Sequence, residues 1–348
     1  MKIFDGHNDT LQAAFGRSRR SGRRNFFERS EEGHIDLPRA REGGLAGGFF
    51  AIMAGGHPAS SPAPDDLFGT PEAELPVPLD HDYALRVAMA LAATLFRLEA
   101  QSDGQVAVVR DITELRRCLD TDVLAAVFHL EGAEPIDPDL HSLEVFYQAG
   151  LRSLGLVWSR ANLFAEGVPF RFPSSPDTGP GLTEYGRRLV RRCNELGVMV
   201  DLSHLNERGF WDVAGLSTAP LVASHSNAHA VTPSPRNLTD AQLDAVRDSG
   251  GIVGVNFSVG FSRPDGGRET DLGLDVLVRH FDHLASRMGA DHVGFGSDFD
   301  GTTVPDSLKD AAGLPRLVEA LAAHGFSQAE LEQMGTGNWL RVLDATWR

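Results

Sequence analysis

Short apolar runs recur along this chain, most of them followed by a polar loop and then by apolar residues at helical spacing. They are Lys2–Asp5, Ala46–Met53, Val123–Leu130, Leu151–Val157, Val198–Leu202, Leu221–Ser224, Ile252–Asn256 and His292–Gly296. Continuous runs of this length suit strands covered on both faces, as in a parallel sheet. A ninth run, Gln105–Arg110, reads as an extra short strand or part of a connection. Between the runs, Thr183 opens a helical pattern that reaches Glu195 and stops at Gly197. Thr239-Asp240 opens another ahead of Gln242 and Leu243, with Gly250 near its end. Leu274, Leu277, Phe281, Leu284 and Met288 form one buried stripe. Eight strands alternating with helices predict an α/β fold, a (β/α)8 TIM-type barrel forming a single domain over residues 1–348. No glycine-rich dinucleotide fingerprint follows the first run.

Two proline-rich connections, His57–Pro78 and Asn162–Gly181, are long for a compact domain. In a barrel they fall on the face formed by the strand C-terminal ends, where substrates bind.

Composition narrows the partners. The 348 residues are 42% hydrophobic, enough for a substantial core, and carry a net charge of −16 that disfavours nucleic acid and anionic membrane surfaces. No apolar stretch of about eighteen residues is present, and the start reads as a strand and a polar turn rather than a leader. The two cysteines, Cys118 and Cys193, lie in helical patterns. They argue for a reducing compartment, so a cytoplasmic location is expected, and against a thiolate metal site. Arg17, Arg19, Arg20, Arg23, Arg24 and Arg29 cluster against the charge balance. A solvated loop is the expectation, with a loop that draws in small anionic substrates as the second reading.

The ends of the runs carry the chemistry. His7 and Asp9, two apart on an extended strand, can aim at one point. Glu131, His204, His225 and Asp298 stand at the C-terminal ends of four further strands. Imidazoles and carboxylates in this number suit one or two divalent ions, zinc foremost. A carboxylate such as Glu131 can bridge two ions roughly 3.5–4 Å apart, and a water held between them loses its proton near neutral pH.

The chain resembles the membrane (renal) dipeptidase family, zinc metallopeptidases of the amidohydrolase superfamily. The resemblance rests on Asp5-Gly-His7-Asn-Asp9, His129-Leu-Glu131-Gly-Ala and Val200-Asp-Leu-Ser-His204. It continues in Ala223-Ser-His225-Ser-Asn leading to Arg236-Asn237-Leu-Thr-Asp, and in Gly294-Phe-Gly-Ser-Asp298-Phe-Asp-Gly301. It implies two Zn²⁺ per chain, with His7 and Asp9 on one, His204 and His225 on the other, and Glu131 and a hydroxide as bridges. It implies Asp298 as the proton shuttle and Arg236, followed by Asn237, on the substrate carboxylate. It also suggests a homodimer. One position departs: renal-type members carry a histidine after the fourth strand that contacts the scissile carbonyl, and Trp158 stands there in Leu156-Val-Trp158-Ser-Arg160. Its indole offers only a donor N–H. Trp158 is therefore expected to wall a pocket for an apolar side chain, with Phe164 and Phe170 as lid partners.

Other polar residues receive plainer readings. His129 is expected as a core histidine beneath the metals, and His229 as a loop residue or a support to the site. Glu134 is an alternative to Glu131. His280 and His283 are expected on a solvated helix face, and Asp300 either behind Asp298 or in a turn. The function expected is hydrolysis of dipeptides, with tolerance of D-residues at the C-terminal position. The alternatives are another amidohydrolase activity, on N-acyl amino acids or lactones, and a catalytically inactive metal-containing binding protein.

Overall fold

The computed structural model describes residues 1–15, 24–55 and 73–348. Its strands are β1 (Ile3–Asn8), β2 (Leu45–Met53), β3 (Val106–Val108), β4 (Leu124–Glu131) and β5 (Leu151–Gly155), then β6 (Met199–Asp201), β7 (Val222–Ala223), β8 (Ile252–Val255) and β9 (Val293–Phe295). All pair in parallel. β1 lies between β2 and β9, and β2 pairs with β4, so eight strands close into a barrel surrounded by helices. β3 stays outside the ring. It pairs with Leu124–Ala126 of β4, below the stretch Phe128–Glu131 that pairs with β5. The predicted TIM barrel is the observed fold, and Gln105–Arg110 contains the extra strand.

Alternation along β4 sets the level of the site. Ala125 and Val127 face the barrel interior with Phe4, Phe49, Met199, Val222 and Ile252, while Ala126, Phe128 and Leu130 pack outward under the helices. Trp339, from the helix Asn338–Thr346, plugs the lower end against Phe4 and Phe49. His129 and Glu131 follow at the same parity, one level and two levels above Val127. β1 breaks this rule. Phe4 packs in the interior and His7 faces the site, three residues on, where strict alternation would separate them. The pairing of β1 with β2 shifts register between Asp5 and Asn8, which turns His7 inward.

The helix signals hold. Thr183 accepts from the backbone N–H of Gly186 and caps Glu184–Leu196, which ends at Gly197 in the left-handed conformation. Thr239 and Gln242 form a capping box on Asp240–Asp248. The helix Asp275–Met288 buries Leu277, Phe281, Leu284 and Met288, and also His280. That corrects one expectation. His280 is fully buried, its ring bonded to the Ser262 carbonyl at 3.0 Å and to the Ala228 N–H at 3.2 Å, and only His283 is partly open, beside Asp240 at 2.8 Å. No helix among the described residues is long and apolar enough to cross a membrane.

Candidate metal centre

Glu131, the last residue of β4, occupies the centre of the barrel mouth, and its two oxygens face different partners. Oε1 lies 3.1 Å from His204 Nε2 and 3.6 Å from His225 Nε2, whereas Oε2 lies 3.6 Å from His7 Nε2. Asp9 Oδ2 is 3.6 Å from the same His7 nitrogen. The His7 and His225 rings stack at 3.8 Å, and His204 Nε2 is 3.1 Å from His225 Nε2. His204 sits three residues past the end of β6 with φ 68°, a region non-glycine residues seldom occupy. The Val168 N–H, from the long connection after β5, donates to its carbonyl at 2.8 Å and holds it there.

Asp298 follows β9 in the same unusual backbone region, φ 60°, with its N–H on the His7 carbonyl at 3.0 Å. Asn256 donates to its Oδ2 at 2.9 Å, which leaves Oδ1 turned toward Asp9. Gly301 leaves room for both carboxylates, since a Cβ there would lie 2.5 Å from Asp298 Oδ1 and closer still to Asp9 Oδ2.

Burial opposes charge throughout this cluster, and the balance differs by residue. Burial works against an imidazolium at His7, but Glu131, Asp9 and Asp298 outweigh it and raise the pKa to about 10. Burial, with Arg236 and His7 nearby, holds His204 and His225 well below the usual histidine range. Burial pushes Glu131 well above its ordinary value and Asp298 up to about 6, the latter against the pull of His7.

This donor set suits divalent ions. Both ring nitrogens of His7, and Oε2 of Glu131, are buried without a hydrogen-bond partner. Such groups are costly unless something satisfies them. His7, Glu131 and His225, and likewise His7, Asp9 and Asp298, each offer ligand atoms within 4.8 Å of one another. Neutral imidazoles and carboxylates are zinc ligands, and an ion here would take the place of the proton that the surrounding carboxylates otherwise hold on His7.

The remaining expected residues divide. Arg236 is buried beside the cluster, donating through Nη2 to the His225 carbonyl at 3.0 Å, with its guanidinium over Phe261 and its Nε unpartnered. Burial lowers its pKa to about 10, against the pull of Asp298 and Glu131. Asn237 gives its amide to the Thr232 and Phe261 carbonyls, both at 2.9 Å, so its N–H groups tie two loops together. Trp158 stands at the mouth, its ring 5.9 Å from His204 and 5.5 Å from Phe170. Phe170 stacks on Phe261 in turn. Phe164 is a correction: it is fully buried in the outer core and cannot act as a lid.

His129 lies below the cluster, with Nδ1 2.8 Å from Ser153 Oγ, and burial lowers its pKa to about 3. Glu134 is 4.0 Å from Arg160 and outside both ligand groups. His229 bonds the Ser174 carbonyl. Asp300 does not reach behind Asp298. It accepts from Arg24 at 3.1 Å and from the His34 N–H at 2.6 Å, strapping residues 24–35 to the β9 loop. Arg24 is thus an anchor and Arg29 pairs with Glu42, while Arg17, Arg19, Arg20 and Arg23 lie outside the described residues.

Several residues around the site escaped the sequence reading. Ser159 Oγ is 2.8 Å from His204 Nδ1, and Ser224 Oγ is 2.7 Å from His225 Nδ1. Asp201 lies behind Ser224, and Asp5 accepts from both the N–H and the hydroxyl of Ser297. A serine directly before each of His204 and His225 was visible in the sequence, but Ser159 comes from a different loop.

Residues 1–347 match the model of the membrane dipeptidase family, peptidase family M19. The chain is similar to a metallo peptidase from Rhodobacter sphaeroides solved with a phosphinate mimic of the dipeptide L-Ala-D-Ala. That likeness has 47% identity and a TM-score of 0.93 over 100% of this chain and 99% of the other. A solved M19 metallo peptidase called dipeptidase AC is 48% identical, with a TM-score of 0.92 over the same shares. A Klebsiella pneumoniae protein known as "uncharacterized protein in pqqA 5′ region" is 52% identical over 256 residues, 74% of this chain and 94% of that protein.

Proposed function

This chain belongs to the membrane dipeptidase family, peptidase family M19, and from that premise we propose that it hydrolyses dipeptides at a two-zinc site. It is a metallopeptidase of TIM-barrel fold; the zinc count and the residue roles are our own reading. His7 and Asp9 would hold one ion, His204 and His225 the other, and Glu131 both. Bound there, the ions would polarise the scissile carbonyl and make a water molecule acidic enough to supply hydroxide at neutral pH.

The observation that carries this reading is the split of Glu131, with Oε1 facing His204 and His225 and Oε2 facing His7. A carboxylate with two imidazoles before one oxygen and a third before the other can serve two ions at once. Asp298 takes the proton of the attacking water and returns it to the departing amine, an acid–base role helped by burial that raises its pKa. Asn256 fixes Oδ2 so that Oδ1 faces the reacting atoms. Arg236, a planar cation tied to the His225 carbonyl and lying over Phe261, grips the free carboxylate of the substrate and limits its length to two residues. Trp158 and Phe170 wall the mouth beside His204, where the substrate's apolar side chain rests. Tolerance of a D-residue at the C-terminal position is part of the proposal. Its support is the Rhodobacter sphaeroides relative, similar along its whole length and solved with an L-Ala-D-Ala mimic.

The test is metal counting joined to a dipeptide panel. Wild-type protein should carry two zinc ions and cleave L,L and L,D dipeptides, and Glu131→Gln should lower occupancy at both positions. Two tightly held ions and wild-type turnover in Glu131→Gln would refute the shared-carboxylate reading.

A further inference from the structure

We propose that Asp201 and Ser224 form a positioning relay that keeps the proton of His225 on Nδ1 and so leaves Nε2 free for a metal. The inference rests on the reading that His225 is a zinc ligand. It concerns what prepares that ligand.

The relay can be followed atom by atom. Asp201, the last residue of β6, is buried. Its Oδ1 accepts two backbone N–H groups, from Ser203 at 3.1 Å and Ser224 at 2.8 Å. Its Oδ2 lies 2.5 Å from Ser224 Oγ. A carboxylate has no hydrogen to give, so the single hydroxyl hydrogen of Ser224 points at Asp201. Ser224 Oγ can then only accept on its other side, where His225 Nδ1 stands at 2.7 Å. His225 therefore carries its hydrogen on Nδ1. Ser203 Oγ, which accepts the His225 backbone N–H at 3.1 Å, is 3.4 Å from Ser224 Oγ and can fill its last lone pair.

Nε2, the nitrogen facing Glu131 and His204, is left with a lone pair. Fixing the tautomer through the far ring nitrogen is a general device of metal-binding histidines. The partner here is a hydroxyl whose own direction is set by a carboxylate one step further out. His204 differs, because Ser159 at its Nδ1 can either donate or accept.

The chain of donors predicts an asymmetric pair of variants. Asp201→Asn preserves shape and leaves Oδ1 to the two backbone N–H groups, but its amide NH₂ takes the place of Oδ2 and donates to Ser224. Ser224 then turns its hydrogen to His225 Nδ1, and the imidazole hydrogen moves to Nε2, the wrong side. Ser224→Ala breaks the relay without imposing the wrong tautomer.

The experiment uses the full chain. Zinc is counted on wild type, its dissociation constant is measured by chelator competition, and the His225 tautomer is read by long-range ¹⁵N–¹H NMR on metal-free protein, with thermal unfolding as the fold control. Asp201→Asn should move the His225 proton to Nε2 and weaken zinc at the upper end of about 10–100-fold or beyond it. Ser224→Ala should weaken zinc less, with both tautomers present. Should Asp201→Asn fail to fold, Ser224→Ala decides alone, and wild-type zinc affinity with His225 still wholly protonated on Nδ1 overturns the relay. The same result in a folded Asp201→Asn protein also overturns it. Wild type holding fewer than two zinc ions would instead count against the two-zinc reading, while the metal-free tautomer measurement still decides the relay.

Discussion

Replacing Gly301 with alanine should disable the site and leave the barrel standing. Gly301 is exposed and its backbone lies outside the left-handed region, so alanine meets no conformational strain there. The added methyl would lie 2.5 Å from Asp298 Oδ1 and nearer to Asp9 Oδ2. Carbon makes favourable contacts from about 3.5 Å outward, so the Asp298 carboxylate must retreat by about 1 Å. Neither carboxylate can retreat freely. Asp298 is fixed by Asn256 at 2.9 Å and by its own N–H on the His7 carbonyl, and Asp9 Oδ1 is fixed by Gln12 at 2.5 Å. A displacement of about 1 Å in a reacting constellation costs on the order of 10²-fold in rate. The assay is kcat/KM on a dipeptide, with zinc content and thermal midpoint measured alongside. We expect a loss of about 10²-fold at an unchanged midpoint. Activity within threefold of wild type would show that Asp9 and Asp298 do not both work where they stand. A large fall in the midpoint would move the effect to the fold.

Asp298→Asn should lower kcat by roughly 10²–10⁴-fold with two zinc ions still bound, because an amide cannot carry the proton; a loss below tenfold would place proton transfer elsewhere. Arg236→Lys keeps the charge but loses the planar fork, so it should raise KM more for dipeptides with a free carboxylate than for their amides, and equal damage to both would make Arg236 purely structural. Trp158→Ala and Trp158→His, assayed on a dipeptide panel, should both shift the preference among substrate side chains, since the indole faces Phe170 and His204; unchanged preference would mean that Trp158 only packs the rim.

The barrel was legible because most strands are buried on both faces and so read as apolar runs, and because Thr183, Thr239 and Gly197 mark helix ends by local chemistry. The candidate ligands were legible for a related reason: they end or follow those runs, as Glu131 ends β4 and His225 follows β7. What escaped notice depends on tertiary contact. His280 borders the stripe of its helix, and only packing against Ala228 and Ser262 shows that it faces inward. Asp300 gave no sign that Arg24, distant in sequence, would bind it. Phe164 and Phe170 share one loop and look alike in the sequence, yet one enters the core and the other meets Trp158. The inward turn of His7 depends on a register shift that the run Ile3–Asn8 does not announce.

The seam between β1 and β9 also bears on how the protein is made. β1 can rest on β2 soon after synthesis, but its other edge waits for β9, where Asp5 meets Phe295 and accepts from Ser297. At about 5–20 residues per second, the intervening chain takes roughly 15–60 s to leave the ribosome. Through that interval His7 and Asp9 already exist, yet the loop that bears Asp298 does not. A nascent chain can therefore gather metal ligands early, but it cannot complete an active centre until its last strand closes the ring.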